Sequence, residues 1–140
     1  MKNGASSLEE QVPGEINSLN KFENFSYKRF GLGEWMINKK NKLEHVKKAE
    51  EALNHLKNSL KENFDIIIAD EILYAIQFGL LKESQIVDLI KTKPANKELI
   101  LTGSHKPFPK IFELADLVSE FKKIKHPYDK GIKARKGIEY

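Results

Sequence analysis

The feature that most constrains the fold is an apolar run that ends in two adjacent carboxylates. Residues 64–71 read Phe-Asp-Ile-Ile-Ile-Ala-Asp-Glu, with three consecutive isoleucines at the centre. Such a run is typical of a strand that is buried on both faces of a parallel sheet. Because parallel strands need crossover connections, usually helical ones, the run predicts an α/β fold.

The two carboxylates, Asp70 and Glu71, follow that strand directly. Ligands of open α/β sheets bind outside the carboxyl ends of the strands. Carboxylates there form the Walker B pattern of nucleotide-binding folds, in which they hold Mg²⁺ directly or through water and Mg²⁺ holds phosphate oxygens. We therefore predict that Glu71 and Asp70 are metal ligands. An ordinary core strand before a helix start, with Asp70 as the cap and Glu71 in the first turn, gives the same pattern.

Strands and helices alternate in the second half of the chain. The patterning predicts strands over 64–70, 98–102, 117–121 and, upstream, 27–30, and helices over 71–78, 82–93 and 109–115. Such alternation is typical of βαβ units. We predict a three-layer α/β fold with a mainly parallel sheet.

The clearest single helix is predicted over 41–62. Apolar residues recur there three and four positions apart, which predicts a core-facing stripe of Leu43, Val46, Ala49, Leu53, Leu56 and Leu60. His45 and His55 lie ten positions apart. Because that spacing does not form a paired metal site on one face, we predict that both histidines are exposed to solvent.

Composition limits the class of protein. The chain has 140 residues, no cysteine and a net charge of +4, which predicts one globular domain over 1–140 without disulfides or a thiolate metal site. The start lacks the apolar segment of a signal peptide, and no apolar run approaches a membrane span. We predict a cytoplasmic protein with no membrane partner. Residues 1–26 show no sustained hydrophobic period, and we predict that they are irregular.

Residues 122–140 form a basic C-terminal segment in which isoleucines and tyrosines are interspersed. One interpretation is a solvated tail, and another is a segment that packs through those apolar residues. A small polyanion-binding module is a third. The sequence has no RNP, KH or helix-turn-helix pattern, so nucleic acid is not the expected partner.

Three blocks of the sequence carry a resemblance to a known family. The first block is 64–71, followed by Tyr-Ala at 74–75 and by Gly79. The second is 99–103, followed by 113–120. The third is His-Pro-Tyr-Asp at 126–129, with the ending Gly-Ile-Glu-Tyr at 137–140. The sequence resembles the ATP:corrinoid adenosyltransferases of the cob(I)yrinic acid a,c-diamide type, with a weaker match over 29–35. The ending is the most specific of these signals.

The resemblance implies a P-loop NTPase-related, RecA-like fold and transfer of the 5′-deoxyadenosyl group of ATP to Co(I) of a corrinoid in cobalamin biosynthesis. The substrates implied are ATP and a reduced corrinoid, either cob(I)yrinic acid a,c-diamide or cob(I)alamin. Mg²⁺ is the implied cofactor, at Glu71 and Asp70. Trp35 matches part of the corrin-binding surface, although a core tryptophan beneath a loop is the other interpretation. No catalytic residue is assigned. An electron-donating reductase and a homodimer are also implied.

The sequence departs from the family at its phosphate-binding loop. None of its eight glycines is followed by Lys-Thr or Lys-Ser, so G-x-x-x-x-G-K-T is missing and the chain resembles an N-terminally truncated member. Ser104 stands where the family commonly has arginine. Gly-Glu-Trp at 33–35 stands where many members have Gly-Phe-x-Trp, so only Trp35 of that aromatic pair is present. We expect an open sheet edge where the P-loop strand would pair. Alternatives to an active transferase are a non-catalytic fragment, and a partner subunit that binds corrinoid or a P-loop-bearing chain.

Overall fold

The computed structural model describes residues 14–32, 41–135 and 138. Its elements in chain order are α1 (Gly14–Leu19), α2 (Lys42–Ser59), β1 (Ile66–Ala69), α3 (Ile72–Gln77), α4 (Glu83–Thr92), β2 (Glu98–Leu101), α5 (Pro109–Leu114) and a 3₁₀ turn (Pro127–Lys130). None of the described helices combines the length and the apolar character that crossing a membrane requires.

The chain divides into two compact units. Phe30–Val118 forms the first, called the sheet unit below, and Met1–Arg29 with Ser119–Tyr140 forms the second, called the terminal unit. The prediction of a single domain over 1–140 stays a prediction.

The sheet unit contains the parallel pair that the sequence predicted. β1 and β2 are hydrogen-bonded in parallel, with Ile66 opposite Glu98 and Ala69 opposite Leu101. α3 and α4 lie between the two strands in the chain and form the crossover. The α/β class, the parallel sheet and both strands are confirmed, with bounds slightly shorter than the predicted ones.

The core of the sheet unit lies against one face of this sheet. Ile67 on β1 belongs to a buried cluster with residues from all four helices of the unit, the C-cap of α2 and the loop before α4: Leu53, Leu56, Leu60, Leu73, Leu81, Ile86, Leu89 and Ile111. Ala69, Leu99 and Leu101 pack against that cluster. They share the face of Ile67 because successive side chains of a strand point to opposite faces.

The opposite face of the sheet is bare among the described residues. Ile66, Ile68 and Ile100 point away from the cluster, and all three are exposed. The predictions of a strand buried on both faces and of three layers are therefore wrong for this part of the chain. The reason is that burial on two faces needs a layer on each side, and α2 to α5 all contribute to the same cluster.

Two further strand predictions are wrong. Residues 117–121 and 27–30 have no regular secondary structure and belong to no sheet in the described structure. Leu117 and Phe121 are almost fully exposed. An apolar pattern alone does not make a strand, because a strand also needs a hydrogen-bonding neighbour and a surface to pack against.

The helix predicted over 41–62 is present as α2. Near its N-terminus, the residues that are buried differ from the predicted ones. His45 is buried there and Leu43 is exposed. His45 precedes Leu56 by eleven positions, close to three full turns, so it lies on the buried stripe and Leu43 does not. Nε2 of His45 has no hydrogen-bond partner among the described residues. His55 is half-buried, and its ring centroid lies 5.4 Å from that of Phe30. The prediction that both histidines are exposed to solvent is therefore wrong.

The terminal unit contains α1, a helix inside the stretch 1–26 that the sequence predicted to be irregular. Its Ile16 is buried. In the basic segment, Nζ of Lys123 lies 2.9 Å from both carboxylate oxygens of Asp129, an exposed ion pair of small energetic value. The apolar residues of that segment are exposed, which contradicts the packed interpretation for Ile124, Tyr128, Ile132 and Ile138.

The one-sided core predicts different costs for neighbouring positions of β1. Ile67 is 8% exposed and Ile68 is 60% exposed. We expect Ile67→Ala to lower the free energy of unfolding by about 2–4 kcal/mol, because it leaves a cavity in the cluster. Ile68→Ala is the matched control and should cost less than about 1 kcal/mol. Urea unfolding of the purified chain measures both, and equal losses would show that the outer face is covered in solution.

Candidate functional site

Polar side chains gather where β1 and β2 end. Asp70 comes directly after β1, and Thr102 directly after β2. Because the strands are parallel and Ala69 lies opposite Leu101, these two residues lie across from each other at the carboxyl edge of the sheet. This is the edge at which open α/β sheets bind ligands.

The hydroxyl of Thr102 links the two strand ends. Its Oγ1 donates a hydrogen bond to Oδ1 of Asp70 at 2.6 Å. The same oxygen accepts a hydrogen bond from the backbone N–H of Glu71 at 2.8 Å. One hydroxyl therefore contacts both residues that the sequence predicted as metal ligands.

Glu71 occupies the N-cap position of α3 in the left-handed backbone region, with φ 58° and ψ 15°. This conformation is costly for a residue with a side chain and persists where the surroundings hold it. No side chain caps α3 at this position. The alternative with Asp70 as the cap and Glu71 in the first turn is therefore wrong, because Glu71 itself is the N-cap residue and the Asp70 carboxylate accepts from Thr102.

Gly103 lets β2 approach the start of α3 closely. Its φ is +104°, and an added Cβ would lie 2.9 Å from Cδ2 of Tyr74 and 3.1 Å from Cα of Glu71. Only glycine fits this conformation and this contact without a shift of the neighbours. Gly103 therefore fixes the distance between the end of β2 and the acidic pair.

The loop after Gly103 is anchored on α3 by Gln77. Oε1 of Gln77 accepts from the backbone N–H of His105 at 3.0 Å and lies 2.9 Å from the hydroxyl of Ser104. That hydroxyl also accepts from the backbone N–H of Lys106 at 2.8 Å. Ser104, the position at which the family commonly has arginine, thus serves in loop structure here.

An aromatic group flanks the acidic pair. The hydroxyl of Tyr74 lies 2.9 Å from Nε2 of His105, and their ring centroids are 5.3 Å apart. Tyr74 also stacks on Phe78 with centroids 5.8 Å apart.

The sequence reasoning missed Thr102, Gln77 and His105. The carboxyl-end rule that selected Asp70 would have found Thr102 if applied to the second strand as well.

The donors at this edge suit Mg²⁺. The side chains of Asp70 and Glu71 are exposed, and Mg²⁺ prefers oxygen ligands. Within the described ranges, there is no group of three or more histidine, cysteine, aspartate or glutamate side chains that could hold a metal ion. Mg²⁺ often takes only one or two protein carboxylates and completes its shell with water and phosphate. The pair therefore fits a metal bound together with a phosphorylated ligand.

Trp35, which the resemblance places at the corrin surface, lies outside the described residues. Gly33 and Glu34 beside it also lie outside them. The role of Trp35 stays a prediction.

Comparison with known proteins extends the resemblance to nearly the whole chain. The family model for ATP:corrinoid adenosyltransferase BtuR/CobO/CobP matches residues 7–140. The chain is 34% identical over 93 residues to a corrinoid adenosyltransferase of Escherichia coli strain K12, covering 64% of this chain and 46% of that protein. It is 33% identical over 78 residues to corrinoid adenosyltransferase CobA of Salmonella typhimurium, covering 54% and 38%.

A third relative gives the same picture. A corrinoid adenosyltransferase of a Sinorhizobium species is 34% identical over 97 residues, which cover 68% of this chain and 45% of that protein. The chain thus spans less than half the length of each of these relatives.

The packing of Gly103 predicts a stability loss specific to that position. We expect Gly103→Ala to lower the free energy of unfolding by about 2–4 kcal/mol, because it adds steric overlap to an unfavourable φ. The matched control is Gly79→Ala, where φ is +68° and the nearest atom, Nζ of Lys42, lies 3.6 Å away. That change should cost only about 1 kcal/mol. Urea unfolding compares the two, and equal effects would show that Gly103 is not closely packed.

Proposed function

Because this chain belongs to the ATP:corrinoid adenosyltransferase family, we propose that it acts in the transfer of the 5′-deoxyadenosyl group of ATP to Co(I) of a corrinoid. The substrates proposed are ATP and cob(I)yrinic acid a,c-diamide or cob(I)alamin, in cobalamin biosynthesis. A reductase that delivers electrons to the corrinoid is the proposed further partner, and the cytoplasm is the proposed compartment. The fold proposed is the P-loop-related, RecA-like one.

The proposed reaction is a nucleophilic substitution at C5′ of ATP. The electron pair of Co(I) forms the Co–C5′ bond, and the C5′–O bond breaks. Triphosphate leaves with the electron pair of that bond. Since negative charge builds up on the leaving oxygen, groups that neutralise the triphosphate lower the barrier. Mg²⁺, when bound, supplies that neutralisation.

The geometric support for this proposal is the placement of Asp70 and Glu71 at the carboxyl edge of β1 and β2. Both carboxylates are exposed and adjacent, and Thr102 holds the segment that carries them. In the proposed reaction these two residues would hold Mg²⁺, and the bound ion would neutralise charge on the triphosphate. Trp35 is proposed to cover part of one corrin face, which would favour the loss of an axial ligand from cobalt.

A second candidate role follows from the bare face of the sheet. Ile66, Ile68 and Ile100 expose an apolar surface, and the edge of β2 away from β1 has no strand partner among the described residues. Exposed edges and apolar faces are sites of association. A subunit that acts together with a P-loop-bearing chain, or as a homodimer, would use such a surface.

The chain alone is expected to transfer little. It contains no G-x-x-x-x-G-K-T or -S sequence, so its 140 residues offer no Gly-rich loop and lysine to hold the triphosphate. We expect no adenosylcobalamin above background when the purified chain is mixed with cob(I)alamin, ATP and Mg²⁺, as followed by the visible spectrum of the corrinoid. Sustained turnover under these conditions would contradict the expectation that the P-loop is required.

Adding a P-loop segment from a family member, fused before residue 1 or as a separate chain, is expected to give Mg²⁺-dependent transfer. In that protein, Glu71→Gln should lower kcat on the order of a hundredfold, because a charged metal ligand is lost beside the leaving group. Asp70→Asn should have an equal or smaller effect. The measurement is the rate of adenosylcobalamin formation at saturating ATP.

The matched control for Glu71→Gln is Glu98→Gln. Glu98 begins β2 at the opposite end of the sheet and is also exposed, so the same loss of charge occurs away from the site. We expect its rate to stay within about twofold of the parent protein. Full activity of the Glu71→Gln protein would show that Glu71 is not a metal ligand.

A further inference from the structure

We propose that Thr102 is a positioning residue, whose hydroxyl sets the direction in which Asp70 and Glu71 present their oxygens to a divalent cation. This inference rests on the proposed function, because it concerns the same metal site. Thr102 lies 32 positions from Asp70 in the chain, and only the pairing of β1 with β2 brings the two together.

Every polar group of Thr102 is used on the segment that carries the acidic pair. Its hydroxyl donates to Asp70 and accepts from the N–H of Glu71. Its backbone N–H donates to the carbonyl of Ala69 at 3.3 Å, and its carbonyl accepts from the N–H of Leu73 at 3.1 Å. The chain from Ala69 to Leu73 is thereby held at four points by one residue.

The two hydroxyl bonds act on different parts of the acidic pair. The bond to Oδ1 restrains the rotation of the Asp70 carboxylate and leaves its second oxygen outside that hydrogen bond. The bond from the Glu71 N–H holds that residue in its left-handed conformation, which sets where its side chain leaves the backbone. Both residues are exposed, and neither takes part in an ion pair among the described residues.

The two hydrogen bonds of the hydroxyl predict which side chains can replace threonine at position 102. Serine keeps a hydroxyl that can donate and accept at the same place. Valine keeps the shape of threonine but does neither, and the two acidic residues would lose their common anchor. Residues that orient metal ligands through hydrogen bonds commonly change metal affinity by about 10–100-fold when they are removed.

The test is a titration of the full 140-residue chain with Mn²⁺ alone, followed by ¹H–¹⁵N NMR. A paramagnetic ion bound at the pair broadens the amide signals of Asp70 and Glu71 first. We expect Thr102→Val to raise the Mn²⁺ concentration for half-broadening on the order of tenfold, and Thr102→Ser to keep it within about twofold. Rescue by serine separates the hydroxyl from the mere presence of a side chain.

Thr92→Val is the matched control for a loss of stability. Thr92 also uses its hydroxyl in hydrogen bonds, donating to the carbonyl of Asp88 at 2.8 Å within α4. The same substitution there should leave the Mn²⁺ titration unchanged even if it lowers the melting temperature. If Thr102→Val does not fold, Thr102→Ala removes the same hydroxyl and introduces no new methyl group at that place.

The outcomes separate this inference from the proposed function. Unchanged broadening in Thr102→Val, with loss of broadening in Asp70→Asn and Glu71→Gln, would overturn the role of Thr102 and leave the metal site standing. No broadening at either residue in the unmodified chain would overturn the role of Thr102 and the metal site together. The expected Mn²⁺ pattern without adenosyl transfer by the P-loop-complemented protein would support Thr102 and count against the transferase proposal alone.

Discussion

The parallel pairing of β1 with β2 is the constraint on which the rest of the sheet unit depends. It places Thr102 opposite the end of β1, where a single hydroxyl reaches both the Asp70 carboxylate and the Glu71 backbone. The close approach of Gly103 to Tyr74 and Glu71 follows from the same pairing. A change of register by one residue would turn every side chain of a strand to the opposite face and separate these groups.

The core of this unit is one-sided, and that has consequences for function. Helices α2 to α5 all contribute to the cluster around Ile67, so the outer face with Ile66, Ile68 and Ile100 carries no cover among the described residues. Soluble monomers seldom leave a contiguous apolar face open unless it serves association. The bare face and the acidic edge belong to the same two strands, so a partner that packs on this face would lie next to the acidic pair.

Sequence reasoning was strongest where one local pattern was enough. The strands before Asp70 and Thr102, the helices between them and the crossover were predicted, since periodicity and turn residues act over a few positions. It failed over 117–121, because a strand needs a neighbour that an apolar pattern does not supply. It also failed at His45, where the buried stripe of α2 is set by the cluster that it faces and not by the apolar residues alone.

The sequence by itself determined the α/β class, the position of the acidic pair at the end of a strand, and membership of the corrinoid adenosyltransferase family, because these depend on residue order. Only the tertiary structure decided that Thr102 holds the pair, that Gln77 and His105 complete the neighbouring loop with Tyr74, and that one sheet face stays bare. The contacts of Thr102, Gln77 and His105 join residues about thirty positions apart, and they exist only once parallel strand pairing has joined the two segments. The bare face results from the packing of all four helices of the unit into one cluster.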